Sequence, residues 1–211
     1  LRQLSAITGT LSAMRRNHCP RWTGICSASA HAQQVGDLIH GQATKLVDAD
    51  TFDIGPDCGL RGLARRAIGG GDCWRICIWG IDAADKWERC LVAGQVFKLA
   101  KPSKQALKEC LRGSTMTCRV QKIQRGRLKL RYVSECYRDD SKEDVAACMV
   151  TSGWATDWPG YSGGYYAPLE EEPKAGGRGL WQCDDGPPTK RWCRGGEGIP
   201  CEQPIYKPRG P

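Results

Sequence analysis

No apolar run in this 211-residue chain is longer than a β-strand needs. A membrane-spanning helix takes about 20 consecutive apolar residues, and the sequence contains no such stretch. The core must therefore be assembled from short segments, each too small to bury its own apolar face. Residues 41–54 read as a strand, a tight acidic turn and a second strand, with Val47, Phe52 and Ile54 as the strand formers. Residues 74–81 form a third, mostly buried strand. Residues 102–111 are helical, with Ser103 as cap after Pro102 and Gly113 as the stop. Residues 115–123 and 128–137 are two more strands. Asp140-Ser141-Lys142-Glu143 opens a second helix that runs to about Ser152 and ends at Gly153. A weak third helix lies within 166–180, opposed by Pro168, Pro173 and Gly176-Gly177.

Five strands with a helix between the third and fourth is the order of an OB-type barrel. The expected fold class is α+β: a five-stranded OB-type β-barrel with about three helices and extended N- and C-terminal segments. Three regions follow: an arm or targeting remnant over 1–40, a barrel domain over 41–182 and a strap over 183–211. The first 36 residues hold no Asp or Glu but carry Arg2, Arg15, Arg16 and Arg21 among many Ser, Ala and Thr. That composition resembles an organellar targeting segment. A signal peptide from Met14 to Ala32 is the alternative, though Cys19-Pro20-Arg21-Trp22 interrupts its apolar middle. The strap holds six of the twelve Pro, five Gly, and Cys183, Cys193 and Cys201, and reads as an extended segment.

Thirteen cysteines point to an oxidising space, and the odd count leaves at least one thiol outside intrachain pairing. Cys58 and Cys73 bracket a Gly-rich loop and would staple it there; two unpaired thiols are the alternative. The formal net charge of +8 favours anionic partners. Seven cations lie between Cys110 and Ser134 with no acid among them. On a strand, Arg125, Arg127, Lys129 and Arg131 project to one side, which suits a phosphate backbone or an acidic partner equally. Asp48 and Asp50 share one turn, and Asp82 and Asp85 end a strand; together they could make an oxygen-only site for a hard cation. Aromatic residues gather at Trp154, Trp158, Tyr161, Tyr165 and Tyr166, where packing against the barrel is the commoner role and base stacking the alternative. His18, His31 and His40 all lie in or next to the arm and form no catalytic arrangement.

Taken in order, these segments resemble the thermonuclease (staphylococcal nuclease-like) family over roughly residues 42–182. Val47-Asp48-Ala49-Asp50-Thr51 is similar to the family's V-D-G-D-T turn, and Ile78-Trp79-Gly80-Ile81-Asp82-Ala83-Ala84-Asp85 to its L-W-G-I-D-A-P-E. Gly94, Phe97, Ala106 and Leu107 fit the helix that follows. Thr117-Cys118 and Glu135-Cys136-Tyr137 match strands that carry Cys in secreted members. Ser152-Gly153-Trp154-Ala155, Asp157-Trp158-Pro159 and Gly179-Leu180-Trp181 fit the C-terminal part.

The resemblance implies a Ca²⁺-dependent phosphodiesterase, with Asp50 and Asp82 as metal carboxylates and Ala83 lending its carbonyl. Ca²⁺ would polarise the phosphate and help supply hydroxide. It also implies a Cys118–Cys136 cross-strand disulfide, and leaves Cys90 to pair elsewhere or stay free because the usual partner position is Leu99. Several positions depart from the pattern. Cys77 stands where the family has its first catalytic Arg, and Arg75 lies about 6.6–6.8 Å further along the strand. The general-base Glu is Asp85, one methylene shorter. Ala84 and Ala49 replace the motif Pro and the turn Gly. Arg131 fills the second Arg position, but Lys129-Leu130 replaces the turn before it. Losing one preorganised charge donor costs about 10²–10³ in rate.

The expected function is a thermonuclease-like protein with lost or weakened catalysis. It would act as an accessory or structural subunit of a larger, mitochondrial assembly, with other protein subunits as partners. Two alternatives stand beside it: a secreted or periplasmic Ca²⁺-dependent nuclease acting on DNA or RNA, and a non-hydrolytic nucleic-acid binder. An inactive protein would need no cofactor; an active one would need Ca²⁺.

Overall fold

The computed structural model describes residues 34–55, 73–125 and 130–188. The arm before residue 34, Cys58 with its Gly-rich loop, Arg127, Lys129 and the strap beyond residue 188 lie outside the described residues, as does the side chain of Arg125.

Five strands close a barrel in the order β1-β2-β3-β8-β7. They are β1 (Leu38–Leu46), β2 (Thr51–Ile54), β3 (Trp74–Ile78), β7 (Thr115–Arg125) and β8 (Leu130–Arg138). All neighbours are antiparallel except β3 and β8, which run parallel with Ile76, Cys77 and Ile78 opposite Tyr132, Val133 and Ser134. Helix α1 (Ala100–Leu111) is inserted between β3 and β7 in the chain. This is the α+β OB-type barrel that the segment order implies. Strand β2 is buried at all four positions, and the inward residues of its neighbours join it in the core. Phe52, Ile54, Ile76, Met116 and Val120 are completely buried in one core with Ile39, Leu107, Val145 and Met149.

The barrel starts at Leu38 rather than 41, because Leu38, Ile39 and His40 pair with Arg119, Cys118 and Thr117. Helix α1 begins at Ala100, two residues early. Ser103 is inside it and fully buried, so it does not cap the helix; the cap position is Leu99, without a side-chain bond. Helix α2 (Val145–Thr151) starts after Asp144, whose Oδ1 accepts from the Ala146 and Ala147 amides at 2.8 and 3.5 Å. Asp140 instead accepts from Arg138 and Ser114, so the expected capping box is replaced by a cap four residues later.

Gly94 and Phe97 belong to no helix. They lie in a hairpin of β5 (Arg89–Val92) and β6 (Gln95–Lys98), with Gly94 at its left-handed turn. Two short strands, β4 (Ile81–Ala83) and β9 (Ala155–Asp157), pair outside the barrel. The chain then runs through α3 (Pro159–Ser162), a 3₁₀ turn (Ala167–Glu170), α4 (Glu171–Ala175) and a second 3₁₀ turn (Gly179–Gln182). The proline- and glycine-bearing segment 166–180 thus folds as three short pieces. Gly179 is required where it stands: its φ is +62°, and a Cβ there would lie 2.2 Å from the Gly153 carbonyl oxygen.

Tyr166 is buried edge-on to Trp79, and its hydroxyl donates to Asp144 at 2.8 Å. Tyr165 is exposed. Asp157, from the aromatic-rich motif, is a buried anchor that accepts from the Ser162 hydroxyl and the Tyr166 amide.

Three disulfides are made among the described residues: Cys90–Cys183, Cys110–Cys148 and Cys118–Cys136. Cys90 therefore takes its partner from the start of the strap. Asp184 reinforces that clamp by accepting from the Ala93 and Gly94 amides. Cys73 is also in a disulfide. Cys77 is the free cysteine among the described residues. Replacing Cys118 and Cys136 together by Ala should lower stability in urea by about 3 kcal/mol, the value for a closed loop of this size. Peptide mapping without reductant should recover the three linked pairs and, after unfolding, alkylate Cys77.

Candidate functional site

The site is built at one mouth of the barrel by the β1–β2 turn. The Val47 and Asp48 amides both donate to the Thr51 carbonyl, at 2.9 and 3.0 Å, which folds Asp48-Ala49-Asp50-Thr51 into a compact loop. Ala49 is buried beneath it. The Ile78 amide donates to the Asp50 carbonyl at 2.8 Å and ties the loop to the end of β3. After β3 the chain reverses at Gly80, whose φ is +83° and whose missing Cβ would strike the Tyr166 ring at 2.7 Å. Strand β4 follows and places Asp82 opposite Thr156 and Ala83 opposite Ala155. Asp85 lies just beyond, exposed, where its amide donates to Glu88 Oε2 at 2.8 Å.

This arrangement gathers Asp48, Asp50, Cys77, Asp85 and Arg131 within electrostatic range of one another. Burial pushes the Asp50 carboxyl up to about 6, against the Thr51 hydroxyl that donates to it at 2.8 Å. The neighbouring Asp48 and Asp85 carboxylates push in the same direction as burial. Asp48 is also raised, chiefly by burial, with Lys104 and Arg131 opposing. Cys77 Sγ is 3.2 Å from the same Thr51 hydroxyl. Burial raises its thiol further above the ordinary range, and Asp50 adds to that. Cys77 is thus a neutral group at the position where the family resemblance implies a guanidinium.

Arg75 does not replace it. It is directly opposite Asp53 on β2 and binds that carboxylate bidentately, Nε at 2.8 Å and an Nη at 3.0 Å. Asp53 is only 1% exposed, and the Arg75 guanidinium occupies both of its oxygens. Arg131 is exposed and lowers the pKa values of both Asp48 and Cys77. It is the one member of the Arg125–Arg131 row among the described side chains.

In kind, the donors fit a hard cation: they are oxygen-only, and the charges that bear most on the half-buried Asp50 are the Asp48 and Asp85 carboxylates. Among the described residues, no three His, Cys, Asp or Glu side chains converge as a metal cage. Asp82 and Ala83, the other ligands that the family resemblance implies, lie on β4 opposite Thr156 and Ala155, outside the group that acts on Asp50. Thr51, which links Asp50 to Cys77, and Lys104, which bears on Asp48, were not singled out by sequence reasoning. Lys101, Lys104 and Lys108, at spacings of three and four on one helix, were the signal for the second.

No family model matches the chain. It is similar to a Rhizobium meliloti (strain 1021) protein described as succinoglycan biosynthesis protein ExoI. The two are 29% identical over 153 residues, which cover 72% of this chain and 69% of that protein.

Two outcomes follow from the buried charges. The folded-state pKa of Asp50 lies above the unfolded value of about 3.9. The folded protein therefore holds more proton between about pH 4 and 6, and stability falls as pH rises through that window. In chelator, Asp50→Asn should raise stability at pH 7 by about 1–3 kcal/mol and change little below pH 4, read from urea unfolding at both pH values. Arg75→Met should cost about 3–5 kcal/mol by stranding Asp53, and adding Asp53→Asn should recover much of the loss.

Proposed function

We propose that this chain is a thermonuclease-like barrel whose phosphodiester-cleaving chemistry is lost or strongly weakened, and that it serves as an accessory or structural subunit of a larger assembly. The observation that carries this reading is the neutral thiol at Cys77. Cleavage of a phosphodiester builds negative charge on the phosphate, and a preorganised cation is worth about 10²–10³ in rate there. Cys77 supplies no such charge, and Asp53 occupies Arg75. Asp85 adds a second defect, since its carboxylate stops one methylene short of a Glu.

A second reading is an exported Ca²⁺-dependent nuclease. The gathering of Asp48, Asp50 and Asp85 beside Arg131 favours it. When bound, Ca²⁺ would neutralise the carboxylates and polarise a phosphate. Asp50 and Asp82 would hold it with the Ala83 carbonyl, Arg131 would bear on the phosphate, and Asp85 would accept a proton from water. The disulfides favour an oxidising location, either secreted or periplasmic or an oxidising space of the mitochondrion. Similarity to a bacterial protein supports the first of these, and the acid-free arm supports the second.

Hydrolysis of a quenched single-stranded oligonucleotide, with Ca²⁺ and with chelator, separates the two readings. The native chain should show no cleavage above background, and Cys77→Arg should gain Ca²⁺-dependent activity. Cleavage by the native chain that disappears in Asp50→Ala would establish the nuclease instead.

A further inference from the structure

The hairpin of β5 and β6 has one face packed and one face bare. Cys90 and Phe97, directly opposite each other, pack with Ala84, Leu99, Leu180 and Cys183. Strand alternation sends the pairs Leu91–Val96 and Arg89–Lys98 to the other side. There Val96 is 66% exposed and Leu91 42%, and Trp87, two residues before Arg89, is 76% exposed. Bare apolar side chains grouped in this way mark a contact surface. Arg89 and Lys98 add a second demand, because like charges directly opposite each other on paired strands are destabilising. Among the described residues, no carboxylate forms an ion pair with either. What covers this face must therefore bring apolar groups and negative charge together.

The chain leads its own C-terminal segment to this place. Cys183 is bonded to Cys90, and the Asp184 amide donates to the Leu91 carbonyl at 2.8 Å. The Asp184 carboxylate holds the Ala93 and Gly94 amides of the hairpin turn. Pro188 is four residues further on, so the segment beyond it starts within about 14 Å of the hairpin. Residues 195–206 read Gly-Gly-Glu-Gly-Ile-Pro-Cys-Glu-Gln-Pro-Ile-Tyr. They carry Glu197 and Glu202 and no cation, with Ile199, Ile205 and Tyr206 as apolar side chains. Pro200 and Pro204 oppose a helix and favour an extended chain. A four-residue strand is about 13 Å long, so a twelve-residue extended segment can cover the whole face.

Other occupants fit less well. Residues 1–36 carry no acid to offer the two cations. A second copy meeting this face by twofold symmetry would set Arg89 and Lys98 against themselves. An anionic bilayer would be opposed by the Asp184 carboxylate at the hairpin turn and by its exposed neighbour Asp185. A tethered segment also outcompetes a partner in trans, since its effective concentration is on the order of mM. We infer that residues 195–206 dock on the outer face of the β5–β6 hairpin. Glu197 and Glu202 answer Arg89 and Lys98, while Ile199, Ile205 and Tyr206 cover Trp87, Leu91 and Val96. This goes beyond the accessory-subunit reading and holds whether or not the barrel mouth is catalytic. It also leaves any partner subunit to meet the chain elsewhere.

Hydroxyl-radical footprinting of the full chain, read at Trp87 by peptide mass spectrometry, tests the cover. Glu197→Lys/Glu202→Lys should speed Trp87 oxidation by about threefold or more, as expected when two exposed ion pairs are replaced by repulsion. Arg89→Glu/Lys98→Glu should do the same. The chain that combines all four reversals should return toward the native rate, which damage to the fold would not allow. Leu91→Gln/Val96→Gln should also expose Trp87, with no change of charge. Carbodiimide coupling should join Lys98 to Glu197 or Glu202 within one chain when isotope-labelled and unlabelled chains are mixed. A Trp87 rate that no variant changes, or a four-reversal chain that stays fast, would overturn the inference. Cross-links found only between labelled and unlabelled chains would overturn it in favour of a second copy. Protection of Trp87 that requires phosphatidylserine vesicles would overturn it in favour of a bilayer.

Discussion

The parallel pairing of β3 with β8 is the contact on which the remaining architecture depends. It sets Cys77 beside Val133 and Ile78 beside Ser134, and it closes a sheet whose other neighbours are all antiparallel. Closure removes the sheet edges. It also brings the β1–β2 loop and the end of β3 to one mouth, with Ile78 opposite Ser134 of β8. The Ile78 amide to the Asp50 carbonyl and the Trp79 amide to the Ser134 carbonyl are the bonds that hold this corner. Asp50, in the β1–β2 turn, and Arg131, on β8, are 81 residues apart in the chain, and closure brings them within electrostatic range of the same Asp48 and Cys77.

The charge arrangement at that mouth is unbalanced. Three carboxylates, Asp48, Asp50 and Asp85, act on one another, while Arg131 and Lys104 offset them from the side. The position nearest the Asp50–Thr51 pair holds a thiol that burial keeps neutral. Asp53 and Arg75 show the contrasting solution. There a buried carboxylate is matched by a bidentate guanidinium, and both charges are spent on holding β2 to β3. An Arg two residues nearer the mouth would be available to a phosphate. At its present position it is a structural partner.

Much of the barrel was legible in short sequence patterns. Phe52, Ile54, Ile76 and Ile78 alternate in the strand period and are buried together. Asp48-Ala49-Asp50 reads as a turn because Asp supports tight loops, and Gly153 marks the end of α2 because it tolerates a positive φ. The misplaced features have a common cause. Ser103 and Asp140 have the chemistry of helix caps, yet the caps fall elsewhere. Ser103 is buried within α1, and Asp140 accepts from Arg138 and Ser114. The family resemblance matches Gly94 and Phe97 to the helix that follows, and Leu91, Val92 and Val96 are given no element. They form a hairpin instead, clamped from a remote segment through Cys90–Cys183 and Asp184. Local propensity cannot register a partner 93 residues away.

The sequence by itself determined the order of the barrel strands and of α1, and the residue types at each motif position. Those depend on local periodicity and backbone preference, which act over a few residues. Only the tertiary structure decided which charges are matched and which are left exposed to one another. That outcome depends on distance and burial. Arg75 meets Asp53 because antiparallel register puts them opposite, and Cys77 meets Thr51 because the next alternating pair does the same.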